Sequence, residues 1–139
     1  MTDLLSILKS RIQARGPLSL AEYMTEALGN RQYGYYRNAN PIGKTGDFIT
    51  APEISQMFGE LLGFWLAVCW QQMGSPNSFN LIELGPGRGT LMCDALRATT
   101  NVPIFKEALN IRMVETSPVL GNQQRVNLSS FIGPCTWHQ

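Results

Sequence analysis

From Leu4 onward the apolar positions fall at helical spacing: Leu4, Leu5, Ile7, Leu8 and Ile12. Lys9, Arg11 and Arg15 come late, where a helix dipole favours cations. Gly16-Pro17 ends that helix. Ser19-Leu20-Ala21-Glu22 then reads as a capping box, with Ser19 as cap and Glu22 reaching back. The second helix carries Tyr23, Met24, Ala27 and Leu28 and closes at Gly29-Asn30. Residues 31–50 hold no sustained period and mix Tyr33, Tyr35, Tyr36 and Phe48 with Gly34, Gly43 and Gly46. So long a loop inside a compact domain is functional or disordered, and its aromatics argue against disorder. Thr50-Ala51-Pro52-Glu53 opens a third helix with proline in its first turn. Its apolar stripe runs through Ile54, Met57, Phe58, Leu61, Leu62, Trp65, Val68 and Cys69. Phe64 and Leu66 widen the stripe, which predicts a helix buried on more than one side. Gly59 and Gly63 predict a seam of close packing on it, and Gly74-Ser75-Pro76-Asn77 ends it.

The pattern then changes. Phe79, Leu81, Ile82 and Leu84 form an apolar run short enough for a buried strand. Gly85, Gly87 and Gly89 interrupt it, and Leu91, Met92, Ala95 and Leu96 resume helical spacing from Thr90 to Thr99. Residues 100–109 read as a connection with one helical turn. Asn110 to Glu115 reads as a second strand. Ser117 and Pro118 start another helix, as cap and first residue, that runs to about Arg125–Asn127. Only two strands are clear.

Strand, glycine turn and helix start, in that order, make a nucleotide-binding element. The turn departs from the dinucleotide fingerprint: its glycines sit at 85, 87 and 89, and Thr90 stands at the sixth position. Glu83, two residues before the first glycine, would repel a pyrophosphate but can accept hydrogen bonds from an ammonium group. S-adenosylmethionine (SAM) joins an adenosine to an amino-acid tail without phosphate. Acid-x-Gly-x-Gly-x-Gly after a strand resembles the first motif of the Rossmann-like SAM methyltransferases. Glu115 follows 26 residues after Gly89, against the ~20 of the dinucleotide pattern. In a β-α-β crossover the second strand lies parallel beside the first, so Glu115 reaches the same sheet edge as Glu83. There it can accept both ribose hydroxyls. Gly43-Lys44-Thr45 resembles the end of a phosphate loop, but Asn38 stands five positions before Gly43, no strand precedes it and no helix follows.

The bulk numbers exclude other classes. The 139 residues are 44% apolar and 15% charged, about one domain's worth. A net charge of +1 gives no electrostatic case for nucleic acid or an acidic membrane surface. Cys69, Cys93 and Cys135 are scattered and read as reduced thiols of a cytosolic protein. His138 is the only histidine, so no metal site is expected. Met1-Thr2-Asp3-Leu4 has no basic stretch leading into an apolar one, so no secretory signal is apparent. The most apolar run, Leu61 to Trp70, is half the ~20 residues of a membrane span. These features predict a soluble, cytoplasmic protein.

One longer stretch is more specific. Gly46-Asp47-Phe48-Ile49-Thr50-Ala51-Pro52-Glu53-Ile54-Ser55-Gln56 continues through Met57-Phe58-Gly59-Glu60-Leu61-Leu62-Gly63. With Tyr33-Gly34-Tyr35-Tyr36 before it and the glycine turn after it, this run closely resembles the MidA family of SAM-dependent methyltransferases. That family includes a mitochondrial assembly factor that dimethylates an arginine on a respiratory complex I subunit. The resemblance implies an α/β, Rossmann-like SAM-methyltransferase fold whose N-terminal portion is present here, with a helical extension packed on a parallel sheet. Residues 1–74 would form the helical region with its family-specific loop, and residues 75–139 the first part of the SAM-binding domain. It implies that Glu83, Gly85, Gly87, Gly89 and Glu115 hold the cofactor. The segment from Gly46 to Gln56 would lie over that site, with Asp47, Thr50, Glu53 and Gln56 as polar candidates for the acceptor pocket. Asp47 and Gln56 are the better functional choices, because Thr50 and Glu53 are equally accounted for as helix-cap residues. Asp47 is the one candidate for catalytic contact with the acceptor.

Family members continue into further strands and an Asn-Glu-Phe-Phe-Asp segment, so the resemblance also implies an N-terminal fragment. The expected function is methyl transfer to a protein arginine, on a respiratory-complex subunit by resemblance. A catalytically silent interaction module and a dinucleotide-dependent oxidoreductase are the alternatives. The broad third helix suits a homodimer or core packing equally well.

Overall fold

The computed structural model describes residues 3–38, 41–43, 45–131 and 133–139. Met1 and Thr2, used above in reading the N-terminus, and Lys44 of the Gly43-Lys44-Thr45 triplet lie outside them. The chain forms two compact units, Met1–Pro41 and Ile42–Gln139.

The first unit holds α1 (Leu4–Arg15), α2 (Leu20–Gly29) and a short α3 (Tyr35–Asn38) within the stretch expected to be irregular. Asp3 caps α1 by accepting the Ser6 N–H at 2.8 Å, and Gly16, at φ 85°, ends it. The capping box at Ser19 and Glu22 forms in both directions. Arg11 and Glu26 tie α1 to α2 with an ion pair of 2.6 Å. Of the large apolar residues on these helices, Leu8 is buried, while Leu5, Ile12, Leu20, Tyr23 and Met24 stay exposed.

The second unit is built on three parallel strands, β1 (Phe79–Leu84), β2 (Leu109–Val114) and β3 (Cys135–His138), in the order β1-β2-β3. The third strand adds to the two read from the sequence. Glu83 pairs with Met113, and Trp137 with the same Met113 on the other side, so all three tips reach one edge. Alternation buries Leu109, Ile111 and Met113 and half-buries Phe79 and Leu81 on one face. The opposite face shows Ile82 and Leu84, 55% and 75% exposed.

Helices α5 (Gln56–Gln72), α6 (Thr90–Ala98), α7 (Pro103–Ala108) and α8 (Pro118–Asn127) follow in chain order, with a 3-10 turn at Thr99–Asn101 before α7. The core joins Ala67 and Trp70 of α5, Met92 and Leu96 of α6, Phe105 of α7 and the inward face of β2. Phe105 contacts Trp70 edge-on, with ring centres 5.7 Å apart.

Two expectations for the third helix change. It is two helices: α4 (Ala51–Ile54) ends at Ser55, whose extended backbone (φ −147°, ψ 123°) breaks the helical run before α5 begins. And α5 is buried along one side only. Gly59 and Gly63 pack against α6 so closely that a Cβ on Gly63 would stand 2.6 Å from the Ala95 carbonyl oxygen. The small-residue seam thus consumes the buried side, and Met57, Phe58, Leu61, Phe64, Trp65 and Val68 remain exposed.

Candidate functional site

The turn between β1 and α6 carries Gly85, Gly87 and Gly89 at φ 63°, 56° and 79°, all left-handed, which explains why glycine alternates there. Their surroundings differ. A Cβ on Gly85 would meet nothing within 4 Å, so the turn offers open backbone at that point. Gly87 faces Ile42, and Gly89, the residue before α6, packs against the side chain of Gln124. Beside the turn lies a cavity of about 280 Å³, lined among others by Thr50, Glu53, Glu83, Gly85, Gly87 and Arg88.

Glu83 is half-buried at the end of β1, with its side chain on the core face. Its Oε2 is buried and has no hydrogen-bond partner among the described residues. Burial in that setting pushes its carboxyl up to about 7. A carboxylate at a cavity wall, held away from water and left without a donor, suits a ligand that brings a cation or an N–H group.

Glu115 lies one residue past β2, at the same sheet edge. Its backbone N–H donates to the His138 carbonyl at 2.9 Å, and the Gly85 N–H donates to the Val114 carbonyl at 2.9 Å, so the ladders extend to the tips. The Glu115 Oε1 accepts the Ser117 N–H at 2.7 Å, and Oε2 accepts from Gln124 Nε2 at 3.1 Å. It lines a second hollow of about 220 Å³, together with Ser117, Arg125, Trp137 and His138. The two acids therefore border adjacent strand tips but different hollows.

The remaining sequence candidates separate. Thr50 and Glu53 line the cavity at the glycine turn. Glu53 accepts from the Thr90 hydroxyl at 2.5 Å and pairs with Arg88 Nη1 at 3.4 Å. Because Thr90 is the first residue of α6, this sets a carboxylate at the helix start, where the dipole favours negative charge. Asp47 is exposed, and Gln56 is exposed and donates to Glu60 at 2.7 Å. Neither lines the cavity. Two residues that the sequence reading did not single out hold the turn from α8: Gln124 Nε2 donates to the Gly87 carbonyl at 2.7 Å, and Asn127 Nδ2 to the Arg88 carbonyl at 2.8 Å. The signal for Gln124 was its place between Leu120 and Leu128, on the buried stripe of the helix.

Residues 61–139 match the family described as "Putative S-adenosyl-L-methionine-dependent methyltransferase". The mitochondrial protein arginine methyltransferase NDUFAF7 homolog of Drosophila melanogaster is 52% identical over 119 residues, covering 84% of this chain and 26% of that protein. Human mitochondrial NDUFAF7 is 44% identical over 131 residues, covering 93% of this chain and 30% of its own length. A Burkholderia thailandensis protein solved bound to S-adenosyl-homocysteine superposes with a TM-score of 0.79 at 26% identity, covering 96% of this chain and 36% of that one. The chain thus spans under a third of the length of these curated relatives. The relatives are mitochondrial, so the cytoplasmic location expected from the N-terminal residues does not stand. Among the described residues no helix is long and apolar enough to cross a membrane. Three parallel strands with covering helices, a glycine turn with an acid at its strand tip, and the match over residues 61–139 agree: this chain belongs to the family of S-adenosyl-L-methionine-dependent methyltransferases.

Proposed function

We propose that this chain carries the cofactor-binding portion of a SAM-dependent methyltransferase that acts on a protein arginine. The observation that carries the reading is Glu83: a buried Oε2 without a donor, beside an open Gly85 backbone and a cavity. In this reading Glu83 accepts hydrogen bonds from the ammonium of the amino-acid tail, Gly85, Gly87 and Gly89 let that tail approach the backbone, and Glu115 accepts the ribose hydroxyls. The bound cofactor supplies an electrophilic sulfonium methyl. The chain's own residues exclude water from the tail and fix its direction, and in-line transfer depends on that orientation.

The arginine acceptor rests on the names of the relatives, which are protein arginine methyltransferases. A respiratory-complex subunit as the protein that carries the arginine rests on the MidA resemblance. An arginine acceptor needs a carboxylate to orient its guanidinium. Glu53 and Thr50 stand at the cavity and are the polar groups best placed to shape its wall, whereas Asp47 does not line it and stays a candidate for acceptor contact on the resemblance alone. Residues 75–139 then carry the cofactor, and the helical region 1–74 supplies the segment laid over it. The exposed apolar side of α5 is the surface a homodimer would use, and sedimentation of the chain over a concentration series tests that use.

Calorimetric titration with S-adenosylhomocysteine and with NAD decides the ligand class. Saturable binding of the first and none of the second is expected, and the reverse preference would overturn the reading in favour of an oxidoreductase. Transfer of label from methyl-labelled SAM to an arginine-containing protein separates a working enzyme from a silent module.

A further inference from the structure

We propose that Gln124 is a positioning residue that fixes the direction of the Glu115 carboxylate and couples it to the glycine turn. Its side chain is fully buried, so each polar atom of its amide needs a partner inside the protein. All find one. Nε2 donates to the Gly87 carbonyl at 2.7 Å and to Glu115 Oε2 at 3.1 Å, and Oε1 accepts from Trp137 Nε1 at 3.0 Å.

These partners leave the amide a single orientation. The indole N–H can only donate, and the carbonyl and the ionised carboxylate can only accept. Turning the amide over would set its oxygen against two acceptors and its NH₂ against a donor. The indole is itself held, because the Arg125 guanidinium lies 4.1 Å from its ring centre. Glu115 is consequently gripped once at each oxygen, by Gln124 and by the Ser117 N–H, and each oxygen keeps a lone pair for a ligand. The methylenes of Gln124 also support the turn, since a Cβ on Gly89 would stand 3.3 Å from its Cγ. One side chain on α8 thus joins the tip of β2, the tip of β3 and the turn after β1.

The role in cofactor binding rests on the reading of Glu115 as a ribose ligand, whereas the coupling itself does not. Gln124→Met keeps most of the side-chain volume and removes the amide. In this variant S-adenosylhomocysteine affinity is expected to fall about tenfold or more, the scale of leaving buried polar groups unpaired. Without any ligand, the Glu115 carboxyl resonance should shift, and the Trp137 indole N–H should exchange faster with solvent. Trp137→Phe removes the indole donor together with part of the ring's volume and should shift the same carboxyl resonance, so an unshifted resonance in it overturns the coupling even if Gln124→Met fails to fold. An unshifted Glu115 resonance in a folded variant overturns the coupling, even if the parent chain binds no cofactor. A shifted resonance with affinity within twofold of the parent overturns the role in binding. A parent chain that binds no S-adenosylhomocysteine overturns instead the function proposed above.

Discussion

Acidifying the protein from about pH 7.5 to about pH 5 should weaken S-adenosylhomocysteine binding by roughly 50- to 100-fold, through Glu83 alone. In the ligand-free protein, burial lifts this carboxyl from its ordinary 4.5 to about 7. A ligand ammonium is held by the ionised form, so below about pH 7 each pH unit costs about a factor of ten, or ~1.4 kcal/mol. The stability of the ligand-free chain moves the other way. A folded-state value above the unfolded one means that the folded chain keeps an extra proton between about 4.5 and about 7. That contribution is fully present below about 4.5 and is lost as pH rises through about 7, on the order of 3 kcal/mol in total. The assay is calorimetric titration across this range, with circular dichroism at each pH to confirm the fold, on the parent chain and on Glu83→Gln. The variant should bind weakly and lose the steep dependence. An affinity that stays within about threefold across the range in a folded parent chain would refute the role of Glu83, since its proton could not then compete with the ligand.

Gly63→Ala should destabilise the chain by about 1–3 kcal/mol in urea unfolding, because its Cβ meets the Ala95 backbone rather than a movable side chain. Gly121→Ala, in α8 with open space around it, should stabilise by about 0.5–1 kcal/mol in the same assay. Gly85→Ala should cost only about 1–2 kcal/mol of stability from its left-handed backbone. Its loss of S-adenosylhomocysteine affinity should exceed that strain, because the added methyl fills the open approach; equal losses would count against a ligand at this turn. Glu53→Ala strands the Thr90 hydroxyl and the Arg88 guanidinium and should weaken binding by about 1–3 kcal/mol by titration, with Glu53→Gln retaining part of it through Thr90.

The parts of the fold with local chemistry were legible in the sequence. The Ser19 box, the Ser117–Pro118 start and the glycine turn after an apolar strand each depend on residues within a few positions of one another, and each appears where its residues predict. What stayed hidden depends on distant partners. Ser55 carries no glycine or proline to announce a break, so Ala51–Gln72 read as one helix. Glu53 was visible as a first-turn acid, but its partners Arg88 and Thr90 lie more than thirty residues on. Gln124 sits in the polar run Asn122-Gln123-Gln124-Arg125, which suggests solvent, yet it alone of the four is fully buried. β3 spans four residues, too few for alternation to stand out. The breadth of α5 is apolar without being enclosed, since a stripe records what can be covered rather than what is.

The β1 strand has a second consequence, for handling the protein. In the described sheet its outer side is unpaired, and its outward residues are Asn80, Ile82 and Leu84, with no lysine or proline to discourage a further strand from adding. Prepared by itself at high concentration, this chain presents backbone donors and acceptors beside greasy side chains to every neighbouring copy. Turbidity that grows with concentration, and that recedes when Ile82 is replaced by lysine, would be a property of that rim and not of the chemistry at its tip.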